Sequence, residues 1–420
     1  MLSASGERRN ILLLTIDAWR PDFVDAYAGI PLTPTLQRLR PQTVRFSRAY
    51  ATAPWTSPAI ISVLTGESAL RHGVHYEWTA PRVGGPALPA RLLAAGYRVP
   101  NLCYLNRVGN YHHLGYDPAA APGYPSSPDD DLLPQTLRGL AEAPTAPFFL
   151  WYHYKFVHLP YWPHERYRQL LGIDDAAVPA RVRESVGQQF VVPRQKYALV
   201  PEDQAVVRAL YAAAVRQMDD FLGRVFAALD ETGQLERTTV VLTADHGEEL
   251  LEHGHVGHAS TSHYATLYEE VLRVPLLFID ARVGTPRTIA APVQGVDLFP
   301  TILGLAGEDP GLPKGSPAVD LSQLLLAPAA EMPPELRADR LLAFQCARMG
   351  YQTPQSHKDH VVTGFTDGRC KYIYEQYESP RRLLYDLTVD PGEQSPLTQG
   401  PEVAAAHERL LALQPDLPRR

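Results

Sequence analysis

The stretch Asn10-Ile-Leu-Leu-Leu-Thr-Ile-Asp17 opens the reading of this chain. It is a nearly continuous apolar run, too short for a typical helix, and a carboxylate ends it. Runs of this kind form strands buried on both faces, as in a parallel sheet. Three more follow: Phe148–Tyr152 (FFLWY), Thr239–Thr243 (TVVLT) and Val274–Ile279 (VPLLFI). Helical signals lie between them. Leu88–Ala95 is closed by Gly96, a common residue just past a helix end. From Glu202 to Leu229 the apolar residues Tyr211, Ala214, Met218, Phe221, Leu222, Val225 and Leu229 recur mostly at spacings of three and four, and Thr232-Gly233 ends the pattern. Strands alternating with helices predict an α/β domain with a doubly wound, mostly parallel sheet flanked by helices.

Past about Asp339 the pattern changes. Leu341–Gln345, His360–Phe365, Cys370–Tyr374 and Leu383–Leu387 are short strand-like runs, Asp367-Gly368 is a hairpin signal, and Glu402–Leu413 reads as a last helix. This predicts a small C-terminal antiparallel sheet with a helix over residues 336–420, following a catalytic domain over 1–335. The Pro-rich stretch Glu308–Pro334 is the expected connection.

Composition narrows the function. The chain has 420 residues and a net charge of −7, which gives no electrostatic case for nucleic acid or an anionic membrane. A small anionic substrate in a local positive site stays compatible with it. Three cysteines, Cys103, Cys346 and Cys370, form no C-x-x-C pair, so neither a disulfide framework nor a thiolate zinc site is expected. There is no secretory leader pattern and no long apolar span, and the default reading is a cytoplasmic protein. A homo-oligomer stays open.

In open α/β sheets, ligands bind beyond the carboxyl ends of the strands. Asp17 stands at one such end, and Asp245 and His246 at another. Two carboxylates and an imidazole at one sheet edge suit a divalent metal. Singly, Asp17 also reads as a loop cap, and Asp245-His246-Gly247 as a hydrogen-bonded turn. A third segment is Ala53-Pro-Trp-Thr-Ser-Pro-Ala-Ile-Ile-Ser-Val-Leu-Thr-Gly66. Its Pro58 suits a first helical turn, so Thr56 or Ser57 is expected as an N-cap. The functional alternative is a hydroxyl nucleophile at a helix N-terminus, where an anion is favoured and a metal lowers the hydroxyl pKa.

These blocks, in order along the chain, resemble the sulfatase-type branch of the alkaline phosphatase superfamily. They are NILLLTIDAWRPD, TPTLQRLRPQTVRFSRAYATAPWTSPAIISVLTG, FFLWYHYKFVHLPYWP, TTVVLTADHGEELLEHGHVGH, LYEEVLRVPLLF, VDLFPTIL, DGRCKYIYE and LYDLTVDPGE. The resemblance implies that Asp17, Asp245 and His246 bind a divalent metal and that Thr56 is the metal-bound nucleophile. It implies that His158, in Val-His-Leu-Pro-Tyr, and His258 bind the substrate anion or assist the leaving group. His253, His255 and His263 read either as solvated loop residues or as part of a second metal site, and His72 reads as structural.

Two departures redirect the chemistry. Sulfatases of this branch carry Cys or Ser where this chain has Thr56, and convert it to formylglycine. Threonine cannot follow that route to an aldehyde. Ala59 and Ile60 replace the next Ser and Arg of the pattern. The first motif has Asp17 followed by Ala18 where many relatives have two Asp residues, and Asp22 is offset too far to substitute. Thr is the nucleophile in related phosphodiesterases and phosphonate-type hydrolases. The expectation is therefore a metal-dependent hydrolase of phosphate or phosphonate esters, with Mn, Zn, Mg or Ca as the cofactor. The alternatives are a sulfatase working without formylglycine, and a non-catalytic binding protein on this scaffold. Lys155 is a candidate for the positive charge that the missing Arg would supply. The loops Gly73–Gly85, Tyr104–Pro128 and Tyr161–Pro201 are expected to shape the pocket. Their aromatics Trp78, Tyr104, Tyr111, Tyr161 and Trp162 read either as stacking platforms or as loop packing.

Overall fold

The computed structural model describes residues 8–27, 29–74, 80–107, 111, 114–142, 146–187, 199–259, 264–312, 316–326, 331–350, 353, 355–357 and 360–413. Its main sheet uses strands β1 (Asn10–Ile16), β2 (Thr43–Tyr50), β3 (Phe149–Tyr154), β4 (Thr238–Ala244), β5 (Leu276–Ile279) and β6 (Arg287–Gln294). Their order across the sheet is β6-β2-β5-β4-β1-β3. Five strands run the same way. β5 runs against both β2 and β4. The apolar run that predicted β5 therefore placed the strand but not its direction, because burial on both faces is blind to strand polarity. Two strands, β2 and β6, carry no such run. In β2, Arg45, Ser47 and Arg48 interrupt the apolar residues and are only half-buried. β6 contains Pro292 and sits at the sheet edge, where a missing N–H costs least.

β4, β1 and β3 lie side by side. β1 pairs in parallel with β4 on one side and β3 on the other, and Ile16 is level with both Ala244 and Tyr154. All residues of β3 and β4, and all but the first of β1, are buried. The helix Gln204–Glu231 covers this part of the sheet, with Phe221 stacked on Tyr152 and Tyr154 at centroid distances of 5.6 and 4.6 Å. The helix Leu88–Ala94 also follows the sequence reading, and Gly96 takes the left-handed conformation (φ 86°) expected past its end.

A second, antiparallel sheet joins β7 (Leu342–Ala347), β8 (Val361–Thr366), β9 (Cys370–Gln376) and β10 (Arg381–Asp386) in simple order. At the β8–β9 turn the Asp367 carboxylate accepts from the N–H groups of Arg369 and Cys370, while Gly368 takes φ 80°. A last helix, Pro401–Leu413, packs Val403, Ala406 and Leu410 on this sheet. The two sheets are tied by polar contacts. Arg340 grips Asp297 with two bonds of 2.7 and 2.8 Å, and Gln294 donates to the Ala343 carbonyl at 2.9 Å. Among the described residues no helix is long and apolar enough to cross a membrane. All three cysteines are unpaired.

Candidate metal centre and nucleophile

Register assembles the site. Asp17 and Asp245 each stand one residue past the level pair Ile16 and Ala244, so the two carboxylates emerge side by side. The chain turns sharply at Ala18, whose φ of 60° aims its N–H at Asp245 Oδ1, 3.1 Å away. The N–H of His246 donates to the same oxygen at 2.9 Å. Gly247 lets the following backbone run against Glu270 and Val271, taking 2.9 Å hydrogen bonds to both carbonyls; a Cβ there would overlap the Glu270 carbonyl oxygen. The glycine of Asp-His-Gly is thus a packing requirement that fixes where its two neighbours point.

His246 donates Nδ1–H to the Gly247 carbonyl at 2.8 Å. A carbonyl can only accept, so a neutral His246 presents its lone pair at Nε2. That atom lies 3.5 Å from Asp17 Oδ1, 3.3 Å from Asp245 Oδ2 and 3.4 Å from Thr56 Oγ1. Thr56 begins the ten-residue helix Thr56–Thr65. The N-cap is Trp55, with extended backbone, so neither Thr56 nor Ser57 caps the helix as the sequence suggested. The Thr56 hydroxyl makes no cap bond and turns to His246 instead. Ile60, in the position of the motif arginine, is wholly buried in the core and supplies no charge to the site.

The sequence missed His153. It sits on β3 level with Thr15, and Thr15 shares a strand face with Asp17. Its Nε2 lies 3.3 Å from Asp17 Oδ2 and 4.0 Å from Asp245 Oδ2. Asp17, His153 and Asp245 form a fully buried group whose donor atoms all lie within 4.8 Å of one another. Its Asp17 Oδ1, Asp245 Oδ2 and His153 Nε2 are buried with no hydrogen-bond partner. Donors around an ion bonded at about 2.0–2.2 Å stand roughly 3–4 Å apart, so the observed spacings fit a bound divalent ion. Buried carboxylate oxygens and a lone pair facing one another repel unless a cation lies between them.

Electrostatics agree with this grouping. Burial opposes the charged form of Asp17, yet the imidazoles of His158, His153 and His246 outweigh it and hold the carboxyl at about 2. Burial pushes the neighbouring Asp245 carboxyl up, and the nearby Asp17 charge adds to this. Burial works against a charged His153, but Asp17 and Asp245 together raise its pKa. Two adjacent carboxylates thus titrate apart.

The remaining candidates fall into place around this centre. His258 is buried 4.2 Å, ring to ring, from His246, and its Nδ1 lies 2.6 Å from Glu248 Oε1. Burial pushes the Glu248 carboxyl well above the usual range. His158 is 4.8 Å from His258 and donates Nδ1–H to the Leu159 carbonyl at 2.6 Å. His72 is structural: its ring bonds Ser62, the Pro58 carbonyl and the Val74 N–H. Asp22 is held by Arg20 through two 2.9 Å bonds, away from the centre. His253 stacks on Tyr268 at 3.6 Å and faces Glu270 at 3.6 Å. Neither His253 nor His255 joins a metal-type group among the described residues. His263 and Trp78 lie outside the described residues.

Lys155 is half-buried, with Nζ 3.3 Å above the Tyr124 ring, and burial holds its ammonium down at about 8. Tyr124 meets Tyr104 edge-on at 4.8 Å, and Tyr104 lies 6.0 Å from His153. Of the described aromatics singled out from those loops, Tyr104 is the one whose ring lies against the centre. Tyr161 packs on Tyr211, Tyr111 bonds Ser57, and Trp162 is covered by Arg168 and Arg183.

A family model described as Sulfatase matches residues 9–308. The chain belongs to the sulfatase family. Its members are hydrolytic enzymes acting on sulfate or phosphate esters. This sulfatase-family chain is 26% identical over 495 residues to the multifunctional alkaline phosphatase superfamily protein PehA of Trinickia caryophylli, covering 95% of this chain and 93% of that one. It is 26% identical over 353 residues to the uncharacterized sulfatase YidJ of Escherichia coli (strain K12), covering 71% and 68%. Among solved structures, the phosphonate monoester hydrolase of Agrobacterium radiobacter superposes with a TM-score of 0.76 at 21% identity, covering 98% of this chain and 96% of that one. At that identity the match speaks for the fold.

Proposed function

We propose that this protein is a metal-dependent hydrolase of small phosphate or phosphonate esters, with Thr56 as the nucleophile. The observation that carries the proposal is the Thr56 hydroxyl, 3.4 Å from His246 Nε2 at a helix N-terminus, beside two buried carboxylates. Asp17, Asp245, His246 and Thr56 would hold the ion. A divalent ion there would lower the pKa of a hydroxyl and neutralise charge on the ester. Thr56 releases its hydroxyl proton to solvent, Oγ1 attacks phosphorus, the bond to the ester oxygen breaks, and the departing oxygen takes a proton from His158 or His258. Water then cleaves the phosphothreonine and restores the hydroxyl. Glu248 holds the His258 ring for this role, and the Leu159 carbonyl holds His158. The names of PehA and of the phosphonate monoester hydrolase support phosphorus chemistry. The complete set of carboxylates and imidazoles speaks against a non-catalytic binding protein.

A second reading, sulfate ester hydrolysis without formylglycine, is favoured by the family match itself. Three unpaired cysteines suit the cytoplasm, which we include in the proposal. The test compares matched nitrophenyl phosphate, phosphodiester, phosphonate and sulfate esters. The expected outcome is turnover of a phosphorus ester that falls at least about 10³-fold in Thr56→Ala, with an unchanged circular dichroism spectrum. Full activity in that variant removes Thr56 from the mechanism. Turnover of the sulfate alone promotes the second reading.

A further inference from the structure

We propose that His153 is a nitrogen ligand of the metal centre, and that it tunes the centre to a zinc- or manganese-type ion rather than magnesium or calcium. The inference rests on the reading above that a divalent ion sits between Asp17 and Asp245. Three observations carry it. First, His153 Nε2 is buried, without a hydrogen-bond partner, and faces both carboxylates at 3.3 and 4.0 Å. Second, the groups on the far side of the ring can hold its proton at Nδ1. Trp151 Nε1–H can only donate, and it donates to Thr15 Oγ1 at 3.0 Å. The Thr15 proton has an acceptor in the Tyr152 carbonyl at 3.5 Å. Thr15 Oγ1 then has a lone pair left for His153 Nδ1–H, 2.8 Å away, which leaves the Nε2 lone pair toward the carboxylates. Such outer partners are how proteins aim an imidazole at a metal. Third, Ala18, the residue after Asp17, offers only its N–H, and that is already given to Asp245. The third side chain at this edge is therefore an imidazole.

The donor set becomes two imidazoles, two carboxylates and a hydroxyl. Magnesium and calcium take oxygen donors almost exclusively, whereas imidazole suits zinc and, with carboxylates, manganese. His153 thus acts as the selectivity-determining ligand of the centre.

The test strips the full-length protein with a chelator, offers equimolar Zn, Mn, Mg and Ca, and measures retained metal by mass spectrometry. Wild type should retain Zn or Mn, with Mg and Ca together below a tenth of the total. His153→Ala should raise the Zn Kd about 10–100-fold. His153→Asp should shift the ratio at least tenfold toward Mg or Ca. Pulsed EPR of the Mn-loaded wild type should count two coordinated imidazole nitrogens, a readout that needs no variant to fold. A count of one, an unchanged Zn Kd in His153→Ala, or retention of Mg or Ca by wild type overturns the proposal. Retention of no ion overturns it together with the reading it rests on. Unimpaired ester turnover in Thr56→Ala would sink the Thr56 mechanism alone, leaving these metal readouts standing.

Discussion

Two clusters of buried charge in this molecule solve the same problem in different ways. In one, Lys371 on β9 is wholly buried and lies 2.7 Å from Glu269 and 3.0 Å from Glu393. The chain supplies its own cation there, fixed on a strand of the second sheet, and the carboxylates come from the segment before β5 and the loop after β10. In the other, Asp17 and Asp245 face His153 and His246, and among the described residues neither carboxylate is in a salt bridge with a lysine or arginine, Lys155 interacting with Asp17 only at longer range. The first cluster carries its own cation. The second is an arrangement of donors whose repulsion a cation from solution would relieve. The difference teaches how to tell a tether from a site: both are buried and acidic, but one is balanced by covalently attached charge and the other is not.

The largest effect should come from removing the built-in cation. Lys371→Met leaves the buried Glu393 and the half-buried Glu269 without their shared cation, and breaking a buried pair from one side costs about 3–5 kcal/mol. Urea unfolding should register that loss. Neutralising the partners as well, in Lys371→Met with Glu269→Gln and Glu393→Gln, should recover most of it. Full stability in the single variant would erase the contrast between the clusters.

A smaller effect is expected from the solution cation. Metal at a hundred times its Kd should stabilise the fold by about 2.7 kcal/mol relative to the stripped protein, read by calorimetry. The increment should survive in the triple variant, since it belongs to the other cluster.

The smallest is a slope. Burial pushes the Glu393 carboxyl up to about 7, against the pull of Lys371, while its unfolded value stays near 4.5. Between those values the folded state binds more protons, so this group's contribution to stability falls as pH rises through the window. Inside that window the slope approaches about 1.4 kcal/mol per pH unit. Glu393→Gln should flatten that part of the stability–pH curve. An unchanged slope would place the proton elsewhere in the cluster.

The sequence made much of this legible. β1 and β4 are mostly apolar runs, and Asp17, Asp245 and His246 follow directly from where such strands end. The long helix was readable from its spacing to within two residues at either end. His153 was hidden because an imidazole inside Phe-Phe-Leu-Trp-Tyr-His-Tyr looks like a core residue. Only the register, which sets it level with Thr15, puts it on the face of Asp17. A polar side chain inside an otherwise apolar strand was the available signal. β2 was hidden by its arginines, and the direction of β5 by the symmetry of a buried apolar run. The Lys371 cluster was illegible for a different reason: its members are far apart in the chain and meet only when the two sheets dock.

The left-handed turn at Ala18 has an evolutionary reading. Most side chains pay for that backbone shape, but aspartate and asparagine tolerate it well. The scaffold already holds position 18 in a form an acidic residue would accept at little cost. Exchange between a two-imidazole cage and one in which His246 is the single imidazole thus lies within two substitutions, one at residue 18 and one at residue 153. The path requires no rebuilding of the strands that carry them.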